Sequence, residues 1–107
     1  MEVLRIVEYI GINTIVLGEL YSGFKWGNKE ALNRMELEEF LDTPRVDVIP
    51  IDETTAEFYA QVYWSLKRKG NPIPTNDIWI AASTLQHGLT LFTLDNHFNQ
   101  IDGLKLK

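Results

Sequence analysis

Three acids in the sequence have the chemistry and the placement to bind a metal ion together: Glu19, Asp77 and Asp95. Glu19 comes early in the helix after the first predicted strand, and Asp77 opens an apolar helix. Asp95 ends the strand "LTLFTL" that follows this helix. In an open α/β sheet, ligands bind outside the carboxyl ends of the strands, so the three acids can converge there. Carboxylate oxygens suit a hard cation such as Mg²⁺ or Mn²⁺, which can activate water and stabilise charge at a phosphate.

Each acid also has a purely structural explanation, and the residues alone leave both explanations open. An acid at the position of Asp77 interacts favourably with the helix dipole in the first turn. The pair Asp95–Asn96 is typical of a turn, and Glu19 suits a solvated helix face.

The two histidines are expected to lie outside the site. His87 falls at a predicted helix C-terminus, where a positively charged group is common. His97 follows Asp95 by two residues, close enough to approach the acids, and we expect it to pack in the loop. The chain has no cysteine, which excludes thiolate metal sites and disulfides.

The first half of the chain predicts strands and helices in alternation. Apolar residues at helical spacing over Val3–Ile10 predict an opening helix, and "IGINTIV" predicts a strand over Ile10–Thr14. A helix over Ile15–Phe24 follows. The segment "KEALNRMELEEFLD" predicts a further amphipathic helix, with the following residues inward: Leu32, Met35 and Phe40.

The second half continues the alternation. A strand is predicted over Val46–Ile51, and Thr54 with Glu57 forms a capping-box pattern at the start of the next helix. A nearly all-apolar helix over Asn76–Gln86 is predicted to be buried, and "LTLFTL" to be a strand covered on both faces. "LKLK" predicts an edge strand. The inward stripe of the capped helix is expected to be Ala56, Tyr59, Ala60, Tyr63 and Leu66.

These elements predict an α/β fold with a mainly parallel sheet flanked by helices, in one domain over residues 1–107. The net charge of −5 argues against a large basic groove for nucleic acid, although a bound metal would change the local charge. No apolar run approaches the roughly 20 residues of a membrane span, and no signal peptide is evident, so we expect a cytoplasmic protein.

Two stretches resemble PIN domains, most closely the VapC-type toxins of bacterial toxin–antitoxin pairs. They are "INTIVLGELYSG" and "NDIWIAASTLQHGLTLFTLDNHFNQIDGLKL", and the second is the more specific. By this resemblance Glu19, Asp77 and Asp95 hold the metal, and Thr93 occupies a supporting position near it. The resemblance implies a Rossmann-like fold, Mg²⁺ or Mn²⁺ as cofactor, an RNA substrate, an antitoxin partner and a homodimer.

The sequence departs from the family pattern at its start. PIN domains open with a central strand that ends in an "LDTN"-like motif, and no "DTN" occurs here. We therefore expect an N-terminally incomplete PIN-like domain that lacks the central first strand and one metal-binding aspartate. Such a loss leaves backbone groups of the neighbouring strands unpaired. A second chain that swaps or dimerises into the gap could pair them.

The leading functional prediction is an endoribonuclease toxin that cleaves RNA phosphodiester bonds with divalent metal ions. The alternative is a catalytically inactive, truncated PIN domain that acts as a protein-interaction module. A weaker alternative is a related nuclease that acts on DNA.

Overall fold

The computed structural model of the chain describes residues 9–93 and 95–107. It divides into two compact units, Met1–Pro50 and Ile51–Lys107. The opening helix predicted over Val3–Ile10 lies mainly outside the described residues, as does Leu94. The single domain over the whole chain stays a prediction.

The first unit is a parallel strand pair connected by two helices. Strand β1 (Ile10–Asn13) leads into helix α1 (Thr14–Trp26), and helix α2 (Glu30–Leu41) leads into strand β2 (Val46–Ile49). The two strands pair in parallel over all four residues. Asn13, which is buried, ends β1 and caps α1, because its side-chain oxygen accepts a hydrogen bond from the backbone of Val16 at 2.8 Å.

Helix α2 faces inward with a different stripe from the one predicted. Leu32 and Met35 were expected inward, yet they are 45% and 52% exposed. The predicted Phe40 is half-buried, and the buried residue is Leu37. Arg34 explains the rotation. Its guanidinium lies 4.4 Å from the ring centroid of Tyr21 on α1, so a charged residue occupies a helix face that the apolar pattern had excluded.

The second unit packs two helices together and adds a short parallel strand pair. Helix α3 (Glu53–Lys69) is followed by helix α4 (Thr75–Gln86). Strand β3 (Thr90–Leu91), a 3₁₀ helix (Asn96–Gln100) and strand β4 (Lys105–Leu106) complete the unit. None of the helices in the described part of the chain is both long and apolar enough to span a membrane.

The mixed α/β class and the parallel strands are confirmed, but the described strands form two separate two-stranded sheets, β1–β2 and β3–β4. The strand expected to run through "LTLFTL" is limited to Thr90–Leu91, and Phe92 is 54% exposed. The reason is that β4 offers only two partner residues, so the ladder ends with the bond from the Lys107 N–H to the Leu91 carbonyl.

Helix α4 is buried on nearly every side, as predicted. Ala81 and Ala82 are fully buried, and Ile78 is 3% exposed. Trp79 lies against Tyr59 of α3, with ring centroids 4.2 Å apart. The small alanine side chains allow neighbouring elements to approach the α4 backbone closely, which fixes the position of the helix.

The capping box of helix α3 starts two residues earlier than predicted. The box is formed by Asp52 and Thr55, not by Thr54 and Glu57. The Asp52 carboxylate accepts from the Thr55 backbone at 3.0 Å, and the Asp52 N–H donates to the Thr55 hydroxyl at 3.1 Å. The predicted stripe is confirmed in part, because Leu66 is buried and Tyr59 is half-buried. The other buried residues are Thr55 and Val62, whereas the predicted Ala56, Ala60 and Tyr63 are exposed.

The cap of α3 is also bonded to the end of α4. The Thr55 hydroxyl and the Gln86 side-chain carbonyl are hydrogen-bonded, and the Gln86 amide donates to the Asp52 carboxylate at 3.0 Å. Thr55 is fully buried, so its hydroxyl needs these partners. The network therefore joins the start of α3 to the end of α4.

Thr55→Val should lower the free energy of unfolding by about 0.5 to 1.5 kcal/mol, because the substitution keeps the shape and removes the hydroxyl that bonds to Asp52 and Gln86. Urea denaturation of the full chain measures this change. Thr54→Val is the matched control, since Thr54 is the exposed neighbour on the same helix. Equal effects from the two substitutions would contradict a specific role for the network.

The stability of the chain should also depend on Asp52 at acid pH. Hydrogen bonds to Asp52, first from the Thr55 backbone and then from the Gln86 side chain, lower the pKa of its carboxyl in the folded state. Ionised Asp52 thus stabilises the fold above its unfolded pKa of about 4, and this contribution is lost as pH falls through the lower folded pKa.

Asp52→Asn keeps a capping oxygen but cannot titrate, so it should flatten the fall in unfolding free energy below about pH 4. Chemical denaturation across a series of pH values measures the slope. A variant with the wild-type slope would show that Asp52 does not contribute to the acid sensitivity.

Candidate metal centre

Asp77 lies in the first turn of α4, and its carboxylate is not the cap of that helix. The helix begins after Pro74, which offers no side-chain hydrogen bond, and the Asp77 N–H bonds to the Pro74 carbonyl at 3.0 Å. Proline restricts the residue before it to extended backbone, so "NPIPT" fixes where the helix can start. The Asp77 side chain is 15% exposed and directed at a partner outside the helix.

Asp95 lies at the N-terminus of the 3₁₀ helix, held by two local hydrogen bonds. Its N–H donates to the Thr93 hydroxyl at 3.0 Å, and its carboxylate accepts from the His97 backbone at 2.9 Å. Asp95 is thus a turn residue and a candidate ligand at once. Thr93 contacts Asp95 itself, which gives this hydroxyl a means of orienting the acid.

His97 is the residue that brings the two acids together, and the expectation that it packs in the loop is wrong. Its Nδ1 lies 3.0 Å from Oδ2 of Asp77 and 3.2 Å from Oδ1 of Asp95. The side chain is 49% exposed, and the neighbouring Phe98 is the residue that packs, at 4% exposed. Phe98 anchors the turn while His97 points at the acids.

Asp77, Asp95 and His97 form a group whose chemistry fits a divalent cation. Each offers one ligand atom, and the three atoms lie within 4.8 Å of one another. Two carboxylate oxygens supply negative charge that a cation can balance, and imidazole nitrogen is a common metal ligand. Among the described residues, this is the one group of acids and histidines with such geometry.

Two further candidates, Glu19 and His87, are not members of this group. Glu19 is exposed on α1 in the first unit, and its role as a third acidic ligand stays a prediction. His87 is the C-cap residue of α4, as the sequence indicated.

Comparison with known proteins places the chain in a family. The PIN domain profile matches residues 1–104, nearly the whole length. The chain belongs to the PIN domain family. Ribonuclease VapC2 from Rickettsia felis is 31% identical over 108 residues, which covers 100% of this chain and 79% of that protein.

Solved VapBC structures share the fold. The crystal structure of VapBC2 from Rickettsia felis, bound to a DNA fragment from its promoter, matches with a TM-score of 0.86 and 31% identity. It covers 99% of this chain and 79% of the other. VapBC-5 from Mycobacterium tuberculosis, a member of the VapBC family of toxin–antitoxin systems, matches with a TM-score of 0.72 and 26% identity. That match covers 89% of this chain and 76% of the other.

Proposed function

We propose that this PIN domain is a divalent-metal-dependent endoribonuclease of the VapC toxin type. The observation that carries the proposal is the convergence of Asp77, Asp95 and His97 at the N-terminus of a buried helix. Family membership supports it, as does the relative named as a ribonuclease. These relatives favour a nuclease over the inactive interaction module.

The residues of the site have separable roles in this proposal. Asp77 and Asp95 hold Mg²⁺ or Mn²⁺, Glu19 adds a third carboxylate, and Thr93 orients Asp95. When bound, the ion would supply an activated water and positive charge for the cleavage of a phosphodiester. The burial of α4 keeps Asp77 in place, so the protein does not reorganise its first acid when RNA binds.

We extend the proposal to the partners. The VapBC structures support a cognate antitoxin protein as the regulator of this chain. The proposed substrate is RNA and the proposed location is the cytoplasm. A homodimer is part of the same proposal.

Asp77→Asn and Asp95→Asn should each reduce RNA cleavage by about 100-fold or more, because each removes a charge that holds the ion. Glu19→Gln should produce a loss of the same order. A fluorescent structured RNA incubated with Mn²⁺ or Mg²⁺ gives the rate, and added EDTA should abolish cleavage.

Asp102→Asn is the matched control. Asp102 lies in the same unit but pairs with Lys69 at 2.6 Å, away from the proposed ligands, so its loss should leave cleavage unchanged. Wild-type chain that cuts no faster than Asp77→Asn would overturn the nuclease proposal and favour the interaction module. Cutting of DNA in preference to RNA would favour the DNA nuclease.

A further inference from the structure

We propose that His97 is itself a metal ligand, through Nδ1, and that it makes the site selective for Mn²⁺ or a later first-row ion over Mg²⁺. This inference rests on the proposed metal-dependent function, in which the acids hold the ion and His97 lies beside them. It adds a nitrogen to a site otherwise composed of carboxylate oxygens.

The distances from His97 Nδ1 to the two acids match those between neighbouring ligands of one ion. Around an octahedral ion with bonds of about 2.1 Å, adjacent ligand atoms are roughly 3 Å apart. The Nδ1 of His97 lies 3.0 Å from Oδ2 of Asp77 and 3.2 Å from Oδ1 of Asp95. The nitrogen therefore already stands in the relation to both oxygens that neighbouring ligands adopt.

The local fold holds the His97 ring close to the acids. His97 lies at the second residue of the 3₁₀ helix, its backbone N–H is bonded to Asp95, and the next residue, Phe98, is buried. These constraints restrict where the imidazole can go. The ring lies against the acids, although 49% of the side chain is exposed and solvent is available to it.

The Nδ1 atom of His97 can either donate a hydrogen bond or bind a metal ion. Carboxylates only accept hydrogen bonds, so Nδ1 carries the hydrogen when His97 bonds to either acid. In ligation the same nitrogen offers its lone pair to the ion, and the hydrogen lies on Nε2. Mg²⁺ prefers oxygen ligands, whereas first-row transition ions also bind imidazole, with an affinity that rises from Mn²⁺ to Cu²⁺. The mixed nitrogen and oxygen set therefore favours Mn²⁺, and the later ions more strongly, over Mg²⁺.

The test uses the full chain with Mn²⁺ alone, without RNA. Electron spin-echo modulation of bound Mn²⁺ detects a directly coordinated ¹⁴N nucleus. The wild type should show this coupling. His97→Asp, which retains an oxygen ligand, should bind Mn²⁺ without it. His87→Asn removes the other histidine, at the far end of α4, and should keep the coupling.

Competition titrations supply a second measurement. The Mg²⁺ concentration that displaces half of the bound Mn²⁺ should be at least about tenfold lower for His97→Asp than for the wild type. The control His87→Asn should match the wild type.

The outcomes separate the two proposals. Mn²⁺ bound without ¹⁴N coupling in the wild type would overturn the role of His97 and leave the metal-dependent nuclease standing. Coupling that persists in His97→Asp would overturn it too. A wild-type chain that binds no Mn²⁺ would remove the metal-dependent function and the inference together.

Discussion

The burial of α4 is the constraint on which the second unit and its site depend. Two fully buried alanines allow its neighbours to contact the helix closely, so the helix can neither slide nor rotate without opening a gap. Its N-terminus is set by the preceding prolines and carries Asp77. Its C-terminus is bonded through Gln86 to the capping residues of α3. A single packed element thus connects the stability of the unit at one end with its chemistry at the other.

The second determinant of the site is a short turn. Between β3 and the 3₁₀ helix, Thr93, Asp95 and His97 are connected by two successive hydrogen bonds at a spacing of two residues. The next residue, Phe98, is buried and holds the turn against the unit. Strand β3 contributes only two residues, so local hydrogen bonds and one aromatic anchor position the second acid. The turn, and not the strand, therefore fixes the position of Asp95.

The sequence predicted these features unequally, for physical reasons. Helix α4 was predicted almost to its bounds because it is apolar on nearly all sides and has proline before it and glycine after it. The face of α3 was misjudged because Thr55 is buried and satisfied by a hydrogen-bond network. The face of α2 was misjudged because the half-exposed Arg34 lies over the ring of Tyr21. Hydrophobic periodicity does not detect such residues. The short extent of β3 depends on its partner β4, which no local pattern specifies.

The residues of the site were also predicted only in part. The rule that ligands gather at the carboxyl ends of strands selected Asp77 and Asp95, and they do lie together. The role of His97 was not predicted, because His97 reaches the two acids from a 3₁₀ helix and the rule concerns only the ends of strands. Yet two carboxylates near one helix end repel each other, and a helix N-terminus offers only about half a positive charge. His97 Nδ1 lies within hydrogen-bonding distance of both acids, and we propose that a cation with His97 as a further ligand balances their charge.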